Sequence, residues 1–476
     1  MPWMESTKNS APSRQESVTF AHLWQQGRWL RNATVTIDPQ GQVQSVHEQG
    51  AAGRPGTPPG QIVPGLTLPG MPNVHCHAFQ RPLGALTQRA AGGDNFWSWR
   101  ETMYALAASL DAEALRAISA RCYLELLRGG YTRVAEFLYL HRLDAARLGA
   151  LEADAAVAAA ASVTGIDLML LPTLYQYADF GGAAPRAGQL PFVRGTRQFL
   201  DDWRELLRRY PADGPVTLGV AFHSLRAVNI DTIETVTATL SEEPRCQCLH
   251  IHVAEQMSEV ENCIAQHGQP PVALLASRGL LSARWALVHA THASTAELEQ
   301  VREAGATVVL CPTTESDLGD GVIDIGEFLR ARGSMAIGSD SNIGRNALDE
   351  LRVLEWSQRL NTRRRNVLAD PQQPAVADRL YDGALQGGAR AFGPQPGAPA
   401  ADFVSFDGPS GDWSSLDPRD YLSALMFDSA ALQAQQVMVG GRWVIRHGRH
   451  AHEEQIETHY RETMRRLGRI QGDEHG

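Results

Sequence analysis

Short apolar runs alternate with longer amphipathic stretches through the middle of this 476-residue chain, and this alternation limits the fold more than any other feature. The runs are typical of buried parallel strands, and Ala112 to Arg128 has the three- and four-residue apolar spacing of a helix that packs on a sheet. Eight strand–helix units close a (β/α)8 barrel, with a doubly wound open sheet as the alternative. The eight predicted strands are Leu68 to His77, Thr132 to Tyr139, Asp167 to Tyr175, Val216 to Ser224, Cys248 to Glu255, Trp285 to His292, Thr307 to Thr314 and Ser334 to Asp340.

Both ends of the chain carry further strand signals. They lie at Val18 to Leu23, Gly27 to Leu30, Ala33 to Ile37, Val43 to Val46, Ala401 to Phe406 and Gln436 to Ile445, the last with a Gly-Gly hairpin signal. We therefore expect an α/β protein with a TIM-type barrel and a small β-sandwich domain built from both ends. The predicted division is a disordered tail 1–16, a discontinuous β domain 17–66 plus 401–450, a barrel 67–400, and a C-terminal helix or tail 451–476 that includes a helix from Thr458 to Arg469. A Gly/Pro-rich link, residues 51–60, precedes the barrel.

Composition limits the function classes. The formal charge of −10 and the pI near 5.9 argue against nucleic acid or an anionic membrane as partner, so a small molecule is the expected ligand. Six cysteines without a paired C-x-x-C motif indicate neither a disulfide framework nor a cysteine zinc site. Lys8 is the only lysine, which disfavours Schiff-base, P-loop and carbamylated-lysine chemistry. With no bilayer-spanning run and no signal peptide at the start, we expect a cytoplasmic protein.

Metal-ligand side chains stand at the ends of several predicted barrel strands. His75 and His77 are one residue apart and share a strand face, while His252, His289 and Asp340 end three other strands. Imidazole and carboxylate groups are the ligand types of a hydrolytic zinc site. In a barrel the carboxyl ends of the strands meet at one face, so these side chains should converge there. Any one of them alone is more often a hydrogen-bonded or solvated residue.

Some assignments stay open from the residues alone. His250 shares a face with His252, and we choose His252 because it lies nearer the strand end. Glu255 is either a first-turn helix acid or a proton shuttle beside the metal. His292, beyond its apolar run, is a poorer candidate than His289. Asp340 could instead be a turn residue.

The barrel motifs as a group resemble a known family. The chain resembles the amidohydrolase superfamily and, more closely, the formimidoylglutamate deiminase family of histidine degradation. The matching stretches are His75-Cys76-His77-Ala78-Phe79-Gln80-Arg81, Phe96-Trp97-Ser98-Trp99-Arg100-Glu101, Ala135 to His141, His223 to Val228, His250 to Gln256, Cys311 to Glu315 with Leu318 to Gly321, and Gly338 to Ser341.

This resemblance implies a distorted (β/α)8 barrel with one zinc ion, although iron or manganese is possible, in a homodimer. The lack of further lysines agrees with a mononuclear site. It implies hydrolysis of N-formimino-L-glutamate to N-formyl-L-glutamate and ammonia. The implied metal ligands are His75, His77, His252 and Asp340, the implied catalytic residues are Glu255, His289 and Asp340, and the implied pocket for the two substrate carboxylates comprises Gln80, Arg100, Tyr139, His223 and Arg226.

Two positions depart from the family pattern: Phe222 stands where proline is expected, and Arg142 where a second histidine often follows His141.

Two other functions compete with deimination. A purine or pyrimidine deaminase would use Phe96, Trp97 and Trp99 for stacking, and a metal-storing or regulatory protein would bind the metal without turnover. Two arginines suit a dicarboxylate better than a base.

Overall fold

The computed structural model describes residues 15–48, 62–88, 95–142, 149–394, 397–407, 415–428 and 432–468. The predicted link 51–60 lies outside the described residues, as does the predicted tail apart from its last two positions. No helix in these ranges is long and apolar enough to cross a membrane.

The predicted barrel is confirmed. Its parallel strands are β5 (Met71–Cys76), β6 (Tyr131–Leu138), β7 (Asp167–Leu174), β8 (Val216–Leu218), β9 (Val220–Ser224), β10 (Leu249–Val253), β11 (Trp285–His289), β12 (Thr307–Leu310) and β13 (Ser334–Ile337). The sheet runs in the order β13-β12-β11-β10-β9-β7-β6-β5, with β8 beside β7. Two backbone hydrogen bonds join its ends, from the N–H of His77 to the Asp340 carbonyl and from the N–H of Asp340 to the His75 carbonyl, both 2.9 Å.

The strands are shorter than predicted. Leu68 and Pro69 belong to a strand of the second sheet, and Pro312 begins a helix because proline removes a ladder donor and suits the first helical turn. The segment Val216 to Ser224 is split at Gly219. A Cβ there would lie 2.5 Å from the Cys248 sulfur, so only glycine fits this approach of β9 to β10.

The helices surround the barrel. They are α1 (Leu83–Leu86), α2 (Phe96–Ala107), α3 (Ala112–Arg128), α4 (Ala150–Thr164), α5 (Thr196–Arg209), α6 (Ile230–Leu240), α7 (Met257–His267), α8 (Pro271–Ser277), α9 (Thr295–Ala304), α10 (Pro312–Leu318), α11 (Gly326–Arg330), α12 (Ala347–Thr362), α13 (Val376–Ala391), α14 (Tyr421–Ser423) and α15 (Glu453–Arg466). The helix predicted over Ala112 to Arg128 is α3, whose Asp111 cap accepts from the N–H of Ala114. α13 packs on β13 and β5, the two strands where the barrel closes.

A second sheet joins the two ends of the chain, as expected. Its strands are β1 (Glu16–Gln25), β2 (Arg28–Ile37), β3 (Val43–Glu48), β4 (Ile62–Pro69), β14 (Phe403–Phe406), β15 (Gln436–Val439), β16 (Arg442–Arg446) and β17 (Arg449–His450). They form one sheet in the order β17-β16-β15-β14-β4-β1-β2-β3, antiparallel except for β1 beside β4. The two strands predicted within residues 27–37 are one continuous strand, β2. Gly440 and Gly441 both have positive φ, as the predicted hairpin turn requires.

This sheet has its own core, in which Phe20 and Val35 from the start of the chain pack with Phe403 and Met438 from its end. The terminal helix α15 begins at Glu453, earlier than predicted, and Arg469 lies outside the described residues. α15 packs on α3 through the ion pairs Arg121–Glu457 and Arg466–Asp111. The division into domains stays a prediction, which limited proteolysis can test.

Candidate active site

Four buried side chains bring their ligand atoms together at the carboxyl ends of the barrel strands. The ligand atoms of His75, His252, His289 and Asp340 lie within 4.8 Å of one another. Nε2 of His75 is 3.0 Å from Nε2 of His252 and 3.2 Å from Oδ1 of Asp340. The side chains come from four different strands, so the convergence is a product of barrel closure.

His77 lies beside this group. Its Nε2 is also 3.2 Å from Oδ1 of Asp340, while its Nδ1 is 2.8 Å from the Phe137 carbonyl. Nδ1 of His252 is held in the same way by the His223 carbonyl at 2.8 Å. A backbone carbonyl that accepts the Nδ1 proton leaves the Nε2 lone pair pointing at the centre, which is the arrangement of metal-binding histidines. The four predicted ligands therefore lie close together, and the group whose ligand atoms are all within 4.8 Å of one another contains His289 instead of His77.

The backbone is strained at the ends of these strands. His289 has φ +70°, Asp340 has φ +42° and Ala254, just before Glu255, has φ +50°. Non-glycine residues rarely occupy this left-handed region, and such strain is commonly found at functional sites. Here it turns the side chains of His289 and Asp340 into the mouth of the barrel.

The charges of the group suit a cation. Burial lowers the pKa of His75 to about 3, with a further contribution from His77, and burial also lowers the pKa values of His77 and His252. Burial opposes ionisation of Asp340, but its hydrogen bond with His75 and the nearby imidazoles hold its pKa below the ordinary value. His75, His77 and His252 are therefore neutral imidazoles beside a carboxylate, which is the protonation state that metal binding needs.

The donor set fits a divalent metal ion. Nitrogen and oxygen ligands of this kind suit zinc and also iron and manganese. Within the described part of the chain, Nδ1 of His75 is buried without a hydrogen-bond partner, and its Nε2 faces another imidazole nitrogen. Such crowding of lone pairs is unfavourable unless a proton or a cation lies between them.

His289 stands between two carboxylates. Its Nε2 is 3.7 Å from Oε1 of Glu255, and its Nδ1 is 3.3 Å from Oε1 of Glu315, which also accepts from the N–H of Cys311. Burial would lower the pKa of His289, but Glu255, Glu315 and Asp340 outweigh it and raise the pKa to about 10. Burial raises the pKa of Glu255. The His289–Glu255 pair can therefore hold a proton next to the ligand cluster.

A cleft opens from the cluster, and all five predicted substrate-binding residues line it. Its walls are formed by His77, Gln80, Phe96, Trp99, Arg100, Met103, Tyr104, Tyr139, Tyr175, Phe192, His223, Arg226, His252, Glu255, His289, Leu318 and Asp340. The amide nitrogen of Gln80 donates to the Tyr139 hydroxyl at 2.7 Å. Arg100 lies 4.3 Å from the centre of the Trp97 ring, which is half exposed and not part of the cleft wall.

Two arginines bring unsatisfied donors into this cleft. Nε of Arg100 and Nε of Arg226 are both buried, and neither has a hydrogen-bond acceptor among the residues that the structure describes. Arg226 lies between Glu255 at 3.9 Å and Glu259 at 3.8 Å, both longer than a hydrogen bond. Buried guanidinium groups with free N–H donors favour a carboxylate or phosphate ligand.

Sequence reasoning gave no role to two buried acids, Glu259 and Glu315. Glu259 follows Glu255 by four residues and lies in the first turn of α7, where its carboxylate accepts from the N–H of Glu255 at 3.4 Å, just before the helix begins. Glu315 ends the family stretch that begins at Cys311, but its contact with His289 depends on the neighbouring strand β11. Burial raises the pKa of Glu259 to about 7.

The structure also shows where the less favoured candidates and the two departures from the family pattern lie. Nε2 of His250 is 3.2 Å from the Ala391 carbonyl, deeper in the barrel and away from the cluster. His292 does not line the cleft. Phe222 is buried and stacked on Trp285 with ring centres 5.8 Å apart, and Arg142 is exposed. Neither departure from the family pattern contacts the cluster.

A parallel eight-stranded barrel with imidazoles and a carboxylate gathered at its strand ends defines a class, the metal-dependent barrel hydrolases. A family model described as "Amidohydrolase family" matches residues 63–444. Formimidoylglutamate deiminase of Pseudomonas aeruginosa is 40% identical over 437 residues, which cover 90% of this chain and 94% of that protein. The chain therefore belongs to the metal-dependent amidohydrolase family and, within it, to the formimidoylglutamate deiminase group.

Other relatives agree on the fold. A crystal structure of an amidohydrolase from Brucella melitensis superposes with a TM-score of 0.85 at 37% identity, covering 95% of this chain and all of that chain. 8-Oxoguanine deaminase of Pseudomonas aeruginosa is 29% identical over 395 residues, 79% of this chain and 82% of that protein.

Proposed function

We propose that this protein hydrolyses N-formimino-L-glutamate to N-formyl-L-glutamate and ammonia, as a step of histidine degradation. The observation that carries the proposal is the placement of Arg100 and Arg226, with free buried N–H donors, in the same cleft as a metal-type ligand cluster. The 40% identity to a formimidoylglutamate deiminase over most of the chain supports the same conclusion.

One divalent ion, zinc in our proposal, would be held by His75, His77, His252 and Asp340. Such an ion polarises the substrate and lowers the pKa of a bound water towards neutrality. Asp340 and His289 serve to orient the attacking water, since Nε2 of His289 lies 3.9 Å from Oδ2 of Asp340.

Glu255 delivers a proton to the departing nitrogen. The oxygen of water bonds to the formimino carbon, the bond from that carbon to the terminal nitrogen breaks, and the nitrogen leaves as ammonia with the protons of the water. Glu255 fits this role because it is buried beside His289, so that the pair exchanges a proton without solvent. The cationic amidinium group of the substrate is also favourable next to a carboxylate.

The glutamate part of the substrate binds to the cleft wall. Arg100 and Arg226 each offer a planar fork to one carboxylate. His223 and Tyr139 also line the cleft, with ring centres 5.1 Å from His252 and 5.0 Å from His77, respectively. Within the described residues, the buried Oε1 of Gln80 has no donor, which leaves an acceptor for an N–H of the substrate.

The test is ammonia release from N-formimino-L-glutamate by zinc-loaded protein, with the organic product identified by mass spectrometry. We expect N-formylglutamate, and we expect Arg100→Gln to raise KM at least about tenfold, because one charged hydrogen bond contributes about 1.5–3 kcal/mol. Arg197→Gln, an exposed arginine of α5, is the matched control. An inactive wild-type protein with full metal content would contradict the proposal.

A purine or pyrimidine base is the competing substrate class. Phe96 and Trp99 line the cleft and could stack on a ring, and the 29% identical relative is an 8-oxoguanine deaminase. Turnover of a base, with none of the formimino compound, would keep the metal cluster and overturn the role of the arginines. Metal binding with no turnover of either substrate would favour the storage or regulatory alternative.

The metal identity, the homodimer and the cytoplasmic location also belong to the proposal. Metal analysis of protein purified without added metal tests zinc against iron and manganese. Light scattering tests the dimer, and fractionation of the source cells tests the location.

A further inference from the structure

A second polar cleft lies at the opposite end of the barrel from the metal cluster. It has a volume of about 500 Å³ and lies between the segment joining α11 to β13 and the helix α13. We call it the arginine cleft because four of its lining residues are Arg330, Arg332, Arg379 and Arg390. Ser334, the first residue of β13, also lines it, whereas the proposed metal ligands follow the other ends of their strands.

The four arginines are only partly neutralised. Nη2 of Arg332 donates to Gln372 at 3.0 Å, and Arg379 donates to the Leu368 carbonyl at 2.8 Å, with Asp370 3.8 Å away. In the ranges that the structure describes, the guanidinium groups of Arg330 and Arg390, both exposed to solvent, have no hydrogen bond and no ion pair with the protein. Two walls of the cleft therefore carry a guanidinium group that is available to bind an anion, Arg330 on one wall and Arg390 on the other.

The local charge is positive in an acidic protein. Two carboxylates, Asp370 and Asp382, line the cleft against four guanidinium groups, and Asp382 already accepts from the indole nitrogen of Trp24 at 2.8 Å. Burial lowers the pKa of Arg379, the charge of Asp370 opposes this, and the charges of Arg330 and Arg332 lower the pKa further. These cations are thus close enough to repel one another, a cost that a bound anion would remove.

The spacing of the arginines suits an elongated ligand. Arg379 and Arg390 are eleven residues apart on the same helix, α13, which is a separation of about 16 Å along its axis. Between them, Gly383 and Gly387 let the helix pack directly on β13, because a Cβ at Gly387 would lie 1.7 Å from the Met335 carbonyl oxygen. A single phosphate would reach only one end of the cleft.

We propose that the arginine cleft binds a small, elongated anion carrying two or more phosphate or carboxylate groups. A volume of this size is within the usual range for small-molecule sites, and arginine forks match both kinds of anionic group. The site is independent of the proposed hydrolysis, since it shares no residue with the active-site cleft.

Isothermal titration calorimetry of the metal-loaded protein at low ionic strength tests this, with fructose 1,6-bisphosphate and propane-1,2,3-tricarboxylate as two separate probes. We expect one site per chain for at least one probe, and an affinity that falls with added salt. The double variant Arg330→Gln/Arg390→Gln should weaken binding by about tenfold or more, while Arg197→Gln should leave it unchanged. The probe that binds more tightly shows whether the cleft prefers phosphate or carboxylate groups.

Two results would overturn the proposal. One is no detectable binding of either probe. The other is binding that survives the double substitution. If that binding is then lost in the variant Arg226→Gln, the anion occupies the active-site cleft instead. The two single variants are measured as well, and the melting temperature of each variant is compared with the wild type, so that the result does not depend on the folding of the double variant.

Discussion

Glu255→Gln separates proton transfer from metal binding. The substitution keeps the size of the side chain but removes its proton-transfer ability and its charge. Oε1 of Glu255 lies 3.7 Å from Nε2 of His289, and at an effective dielectric constant of about 20 their attraction is about 4 kcal/mol before desolvation is subtracted. Positioned acid–base groups contribute about 10²–10⁴-fold to rates, or about 3–5 kcal/mol. We therefore expect kcat to fall by about 10²-fold or more.

The assay is steady-state ammonia release, with metal content measured on the same sample. Metal content should stay at the wild-type level, since Glu255 is not among the proposed ligands. Glu259→Gln is the matched control: it removes a second buried carboxylate that also faces Arg226 but does not line the cleft. We expect that variant to act mainly on KM. If Glu255→Gln retains kcat within about twofold of the wild type, or if the control loses as much, the proton-transfer role is wrong.

Three further outcomes follow from the geometry. Removal of the metal with a chelator should abolish turnover and lower the melting temperature, because the crowded imidazoles lose the cation that they bind together. Added zinc should restore both turnover and melting temperature. Glu315→Gln should lower kcat by about tenfold with KM unchanged, because His289 keeps its neighbour but loses a charged partner; an unchanged kcat would contradict this. Gly387→Ala should destabilise the fold by about 1–3 kcal/mol in chemical denaturation, because its Cβ would clash with the Met335 carbonyl; a wild-type midpoint would show that α13 can shift freely.

The sequence by itself determined the barrel and the place of the site. Strand periodicity is local, and apolar runs that end in histidine or aspartate can be read without any long-range contact. Parallel strands in a barrel place their carboxyl ends at one face, so His75, His252 and Asp340 could be expected together before the structure was known. The Gly-Gly hairpin was also readable, since both residues must adopt positive φ.

Tertiary structure alone decided which neighbours these residues have. His250 and His252 share a strand face and differ in their depth in the barrel. His250 contacts the Ala391 carbonyl, whereas His252 lies in the cluster beside His75. Glu315 meets His289 because β11 lies beside β12, and α15 packs on α3 through Arg121 and Glu457, which are 336 residues apart in the chain. Such contacts join residues far apart in the chain. No local pattern encodes them, since they depend on how the whole barrel closes and packs.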